Sequence, residues 1–223
     1  MRACAVPDGT RGIIFDMDGT LLDTVQLVSS AWEFALRSLG YSVTASEIEP
    51  FIGLPASKIA EAFAGGSSSL VELTNLRASY LEAHAHEVRA FPDVPPALGR
   101  IKGAGLKVAV ATSIPSRMAR LFLESAGILG HVDALVGGDE VERGKPEPDI
   151  FLEAAKRLAL GAKELVIVGD RDYDIIPAKR IGSFSVLVVR RFYCPSERPD
   201  AVVGDLGGLL DLLGIRRAGR TTA

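Results

Sequence analysis

Cysteine and histidine are scarce in this chain of 223 residues. The two cysteines, Cys4 and Cys194, stand far apart and form no CxxC pair, which excludes a disulfide-rich scaffold and a thiolate zinc site. His84 and His86 are two positions apart and do not share a helical face, and His131 is distant from both. The sequence therefore predicts no histidine metal site, and the expected compartment is a reducing cytoplasm.

The chain also lacks a strong net charge and long apolar runs. Its 25 basic and 28 acidic residues give a net charge of −3, so no basic face for nucleic acid is expected. The apolar runs are short, as at 186–189, and none approaches the roughly 20 residues of a membrane span. Pro7 and Asp8 interrupt the amino terminus before any stretch of signal-peptide length. The composition, 48% hydrophobic and 24% charged, is typical of a soluble globular protein.

Short apolar runs alternate with segments of helical spacing over much of the chain. Runs of this kind read as buried strands when they are four to eight residues long. The predicted strands cover 12–16, 106–112, 134–136, 165–170 and 185–189. The predicted helices between them cover 115–126, 149–160 and 173–181. Strands that alternate with helices predict parallel pairing and a layered α/β sheet.

One interval, 23–88, carries no convincing strand pattern. An apolar stripe from Val25 to Leu39 predicts a helix that Gly40 ends. A second helix is predicted to begin at Pro55, and a third carries the leucines between Leu70 and Leu81. We predict a helical lid inserted after the first strand. The predicted domains are thus a core of 1–22 with 89–223, and a cap of 23–88.

Polar side chains follow the predicted strands at the points where these end. In parallel sheets such strand ends share one edge, where ligands bind. The residues concerned are Asp16 and Asp18 after the first strand, Thr112 and Ser113 after the second, Asp170 and Asp174 after the fourth, and Lys145 before a helix. Four crowded carboxylates need a counter-charge, and oxygen ligands favour Mg²⁺.

The same residues suggest a phosphoryl site. Lys145, Thr112 and Ser113 offer a positive charge and two hydroxyls to a phosphate, and Gly19 frees the backbone so that N–H groups can face an anion. Asp16 ends a strand and is placed to attack phosphorus, giving an acyl-phosphate. Asp18 is predicted to act as the acid and base.

In this scheme all four aspartates belong to the metal site. Asp170 is predicted to hold the cation, and Asp174 to support it directly or through water. Asp16 and Asp18 contribute to the same site.

These motifs resemble the haloacid dehalogenase superfamily, in the right order and over nearly the whole chain. They are Asp16-Met-Asp-Gly-Thr-Leu-Leu-Asp23, Thr112, Lys145-Pro146 and Gly169-Asp170-x-x-x-Asp174. The resemblance implies a Rossmann-like core with an α-helical cap, and an aspartyl-phosphate mechanism with Mg²⁺. Phe91-Pro-Asp-Val94 and Lys145-Pro-Glu-Pro-Asp149 resemble the phosphoglycolate phosphatase-like branch.

Several residues narrow the reaction within that superfamily. The dehalogenases lack the second Asp of the first motif, so Asp18 favours phosphoryl transfer. Ala56 stands where phosphonoacetaldehyde hydrolases carry a lysine and β-phosphoglucomutases an arginine, although Lys58 is near enough to compensate. Ser113 and Arg171 replace the common Asn and Thr or Ser of two motifs, and neither change removes a required group.

The sequence thus predicts a Mg²⁺-dependent phosphatase for a small phosphorylated metabolite, acting as a phosphomonoesterase through Asp16. Lys58, Arg117 and Arg171 are possible readers of substrate charge. Two alternatives stay open. One is a β-phosphoglucomutase-like phosphomutase, and the other is a signalling phospho-acceptor that does not hydrolyse esters. The sequence predicts neither the substrate nor the oligomeric state.

Overall fold

Six parallel strands form one sheet in the computed structural model, which describes residues 6–65, 70–191 and 193–215. Their bounds are β1 Gly12–Phe15, β2 Lys107–Ala111, β3 Ala134–Val136, β4 Leu165–Gly169, β5 Phe184–Val188 and β6 Ala201–Val203. The order across the sheet is β3-β2-β1-β4-β5-β6. Each neighbouring pair is parallel, so the carboxyl ends of all six strands lie at one edge.

The central strand β1 is apolar on both faces because helices cover both. All four of its residues are buried, with Ile13 and Phe15 in one core cluster and Ile14 in another. Pairing sets Phe15 beside Val110 of β2 and Val168 of β4. The residues that follow these three strands therefore begin within one position of the same level of the sheet.

Helices cover the sheet and fill the segment after β1. Their bounds are α1 Val25–Ser38, α2 Ala45–Ile48, α3 Ala56–Ala64, α4 Leu70–His84, α5 Val94–Gly103, α6 Ser116–Ser125, α7 Asp149–Leu158, α8 Asp172–Arg180 and α9 Leu206–Leu212. Helices α7 and α8 pack on one face of the sheet, and α5 on the other, where it also contacts α9. No helix in these described ranges combines the length and apolar content that crossing a membrane requires.

The predicted α/β class with a parallel sheet and a helical insertion is confirmed. The five predicted strands are present within one or two residues of the expected bounds. The sixth strand, Ala201–Val203, lies at the edge of the sheet and was not predicted. The short helix α2, and α5 and α9, were not predicted either.

Helices α1 to α4 fall in the interval predicted to form the cap, and α1 packs along α4. The chain enters and leaves this interval along neighbouring paths. The Asp23 N–H donates to the Arg89 carbonyl at 3.0 Å, and the Phe91 N–H donates to the Leu21 carbonyl at 3.1 Å. These two hydrogen bonds between the entering and the leaving segment support the predicted limits of 23–88, which stay a prediction.

A polar network anchors the first loop of the core to the far end of the chain. The Arg190 guanidinium donates to both carboxylate oxygens of Asp93, at 2.7 and 2.9 Å, and to the Thr20 carbonyl. Asp93 also accepts from the Leu206 N–H at the start of α9, at 2.7 Å. Burial opposes ionisation of Asp93, but the bonds from Arg190 and Leu206 outweigh it and lower the pKa of this carboxyl.

Asp93→Asn is expected to lower the free energy of unfolding by about 2 kcal/mol at neutral pH, because it weakens a bidentate pair and leaves Arg190 without a carboxylate. The folded-state pKa of Asp93 is lowered, so its stabilisation is present at neutral pH and lost as the carboxyl becomes protonated below about pH 4. Urea unfolding at pH 7 and pH 3 checks both points. The exposed Asp211→Asn is the control, and a difference that does not shrink at pH 3 contradicts the argument.

Candidate active site

Asp16 follows β1 directly and is buried with a lysine against it. The Lys145 Nζ donates to Asp16 Oδ1 at 2.5 Å and to Asp174 Oδ1 at 2.7 Å. The lysine side chain is 0% exposed, so both ion pairs are shielded from water. Burial opposes the charged lysine, but the two carboxylates outweigh it and raise the pKa of Lys145 above its ordinary value. The ammonium is therefore charged at neutral pH.

Three carboxylates meet at this point. One oxygen each from Asp16, Asp170 and Asp174 lies within 4.8 Å of the others. Burial, together with the neighbouring carboxylates, raises the pKa of Asp170. Burial likewise raises the pKa of Asp174 to about 6, although Lys145 opposes this. Burial and mutual repulsion thus oppose the ionised forms of Asp170 and Asp174, and hard oxygen ligands at this spacing fit a divalent cation such as Mg²⁺.

The Asp18 carboxylate lies outside that trio, so the structure does not bring it to the metal ligands as a side chain. It accepts from the Thr24 hydroxyl at 2.5 Å and from the Thr112 hydroxyl at 3.3 Å. Burial and the charge of Asp16 raise the pKa of Asp18 to about 6, while Thr24 acts in the opposite direction. A carboxyl with this pKa can both give and take a proton near neutrality.

Gly19 allows the loop after β1 to turn back on itself. Its φ is +81°, and a Cβ at this position would come within 2.7 Å of an Asp170 carboxylate oxygen. The Gly19 N–H donates to the Leu22 carbonyl at 2.8 Å. The Gly19 N–H is therefore used within the turn, and the residue is needed for that turn and for the approach of Asp170. That backbone N–H groups of this loop face an anion stays a prediction.

The helices of the insert cover these groups. The Ser113 hydroxyl, predicted to bind phosphate, donates to the Gly53 carbonyl at 2.6 Å and so joins the core to the insert. The Tyr173 hydroxyl donates to the Pro50 carbonyl at 3.4 Å. A cavity of only about 20 Å³ is left between Asp16, Asp18 and the insert.

A wider cleft of about 860 Å³ lies beside this small cavity. Residues of α3 and α4 form one wall, and the loop that carries Lys145 forms the other. Arg77 and Ser113 line both spaces, so they stand at the boundary between the two.

The three predicted readers of substrate charge differ in their placement. Lys58 and Arg117 lie on the cleft wall, with exposed side chains that pair with Glu61 and Glu82. Arg171 lies against one of the three acids, since its Nε is 3.4 Å from Asp170 Oδ2, and its guanidinium lies 4.8 Å from the centre of the Tyr193 ring. Arg171 therefore offsets the charge of Asp170 instead of pointing to solvent.

Two residues of the site were not predicted from the sequence. Thr24 holds Asp18, and nothing marks it apart from its place in the loop after the first motif. Arg77 is 7% exposed, on the same side of α4 as the buried Leu73 and Leu81. Spacings of four residues put these three on one helical face, so a charge on that apolar stripe was the signal for Arg77.

Comparison with known proteins places this arrangement in a family. The family model described as "Haloacid dehalogenase-like hydrolase" matches residues 13–188. The chain belongs to the haloacid dehalogenase-like hydrolase family. The resemblance inferred from the motifs is thereby confirmed, and so is the prediction of an enzyme.

Individual members of the family match over most of their length. A provisionally named pyrophosphatase PpaX of Caldanaerobacter subterraneus subsp. tengcongensis is 32% identical over 90% of this chain and 93% of its own. A phosphoglycolate phosphatase of Vibrio cholerae is 30% identical over 90% of this chain and 96% of its own. The crystal structure of a hydrolase from Pseudomonas syringae superposes with a TM-score of 0.83 at 27% identity, covering 92% of this chain and 98% of that one.

Thr24→Val is expected to raise the pKa of Asp18 by about one unit, because it removes a hydrogen bond to the ionised carboxylate. Carbon NMR titration of the aspartate carboxyls measures the shift. Thr10→Val, in an exposed turn where the hydroxyl donates to Pro7, is the matched control. An unchanged or lowered pKa for Asp18 would contradict the assigned role of Thr24.

Proposed function

We propose that this protein is a Mg²⁺-dependent phosphatase that hydrolyses a small organic phosphomonoester through an aspartyl-phosphate on Asp16. One observation carries the proposal. A buried carboxylate at the end of β1 meets a buried lysine on one side and two further carboxylates on the other, with a carboxyl of raised pKa two residues away. The phosphatases named among its relatives agree with this chemistry.

Asp16, Asp170 and Asp174 are the residues that would hold Mg²⁺, since they offer three hard oxygen ligands at suitable spacing. When bound, the cation would place positive charge next to the phosphoryl oxygens. Their negative charge otherwise repels an attacking carboxylate. Lys145 adds a second positive charge next to the oxygen of Asp16. Thr112, at the end of β2, is expected to help orient the phosphate.

The reaction then needs two in-line displacements at phosphorus. A carboxylate oxygen of Asp16 forms a bond to phosphorus while the bond to the ester oxygen breaks, and Asp18 gives its proton to that leaving oxygen. Asp18 then takes a proton from water as the water oxygen attacks phosphorus. This step releases inorganic phosphate and restores Asp16. A pKa of about 6 suits Asp18 to both proton transfers.

The two alternatives differ from the phosphatase in what happens to the phosphoryl group. A phosphomutase would return it to a sugar and release no phosphate. A phospho-acceptor would keep it, but the position of Asp18 and its raised pKa favour rapid hydrolysis of the intermediate. We also propose a small phosphorylated metabolite as the partner and the cytoplasm as the compartment, on the sequence grounds given above.

Asp16→Asn is expected to reduce phosphate release by about a thousandfold or more, because an amide cannot act as the nucleophile. The measurement is release of inorganic phosphate from a panel of phosphorylated metabolites in Mg²⁺. Asp211→Asn, on the exposed side of α9, serves as the control. Turnover by the Asp16 variant would refute the mechanism. Wild-type transfer that depends on a hexose bisphosphate, without free phosphate, would identify a phosphomutase.

Chelation of Mg²⁺ is expected to abolish turnover, and readdition to restore it. Asp170→Asn should raise the Mg²⁺ concentration at half-maximal activity by about tenfold or more, because one charged ligand is replaced by a neutral one. Calorimetric titration of Mg²⁺ into both proteins gives the affinity without turnover. Full activity in the presence of excess chelator would rule out the metal requirement.

A further inference from the structure

Arg77 is a buried cation of the insert, and it forms no ion pair with a carboxylate among the residues that the structure describes. Its side chain leaves α4 toward the core, and its guanidinium lies 4.9 Å from the centre of the Trp32 ring. The Nε is buried and has no hydrogen-bond partner among the residues that the structure describes. Burial lowers the pKa of Arg77 to about 10, although the charge of Asp18 opposes this, so the group stays charged at neutral pH.

A buried guanidinium with an unsatisfied N–H is costly in free energy, since the lost hydration is not replaced by protein groups. The few such groups in folded proteins call for an explanation, and a position on a cavity wall provides one. Arg77 lines the small cavity that contains Asp16 and Asp18. It also lines the wider cleft that leads away from them. A molecule with its phosphoryl group at Asp16 would therefore extend past Arg77.

The other cations near the site are already paired. Lys145 is bound to two carboxylates, Arg171 lies against Asp170, and Lys58 and Arg117 have acidic partners at the surface. Trp32 covers one face of the Arg77 guanidinium by a cation–π contact, which leaves the N–H groups in the guanidinium plane for a ligand. A planar guanidinium donates two parallel hydrogen bonds to the two oxygens of a carboxylate or phosphate. A neutral ligand group does not form such a charged pair of bonds.

We propose that Arg77 binds a second anionic group of the substrate, so that the enzyme selects small phosphates that carry a carboxylate or another phosphoryl group. This inference rests on the proposed function, because it needs the transferred phosphoryl group at Asp16. The second anion occupies the junction between the small cavity and the cleft. Arg77 thus acts in specificity and takes no part in bond breaking.

The test compares substrates that differ in the second anion. The probes are 2-phosphoglycolate, with a carboxylate, inorganic pyrophosphate, with a second phosphoryl group, and 2-hydroxyethyl phosphate, a neutral counterpart of the first. For Arg77→Gln we expect kcat/KM to fall by about thirtyfold or more on the preferred two-anion substrate, and by less than about threefold on 2-hydroxyethyl phosphate. The probe with the larger loss identifies the second anion as carboxylate or phosphoryl.

Two further variants separate recognition from folding. Arg77→Lys keeps a positive charge and should recover part of the lost preference. Arg11→Gln, which is exposed, lies before β1 and does not line the cleft, should leave the preference unchanged. Equal losses on the charged and neutral probes, or no loss on any, would overturn the proposal. Thermal unfolding shows whether each variant is folded. If Arg77→Gln is not folded, the charged and neutral probes are compared with Arg77→Lys instead.

A binding measurement keeps this test independent of turnover. Calorimetry gives the affinity of 2-phosphoglycolate and of pyrophosphate for Asp16→Asn, with and without Arg77→Gln. We expect the added substitution to lower the affinity for the tighter-binding of the two ligands by about tenfold or more. Unchanged affinity for both would reject the role of Arg77. Hydrolysis by the single variant Asp16→Asn would instead reject the proposed mechanism. The failure of this inference and the failure of the mechanism are therefore distinguishable.

Discussion

The site depends on one buried ammonium group held between two carboxylates. The Lys145 Nζ contacts Asp16 after β1 and Asp174 in α8, and these residues would repel each other without it. Because the lysine is shielded from water, the attraction acts at close range and little of it is screened. The loop that carries Lys145 also lines the wider cleft. The same cation therefore joins the proposed nucleophile and the proposed metal ligands to the loop that lines the wider cleft.

Charge balance organises the rest of the centre. The raised pKa values of Asp18, Asp170 and Asp174 show that Lys145 alone does not neutralise the acids. A divalent cation would relieve the trio, whereas Asp18 stands apart and keeps a titratable proton. Two aspartates that are neighbours in one motif thus have different environments, and these suit a nucleophile and an acid.

Much of this arrangement could be predicted from the sequence because its cause is local. An apolar run that ends in a polar residue predicts both a buried strand and a polar group at its end, which is how Asp16, Thr112 and Asp170 were found. The edge strand β6 is also followed by an acid, Asp205, but its three residues were not recognised as a strand. Thr24 and Arg77 depend on how the insert folds over the core, and the bonds of Ser113 and Gly19 depend on which acceptor lies nearest after folding. Sequence patterns do not specify those tertiary distances.

The contacts between Ser113 and Gly53, and between Tyr173 and Pro50, have a consequence for the pace of catalysis. A space of about 20 Å³ holds no more than a water molecule or so, far less than a phosphate ester. A phosphate ester reaches Asp16 only when this space widens, and the insert is joined to the core where the segments near Leu22 and Ala90 pair. Each opening breaks both bonds, so departure of the product competes with chemistry as the slow step.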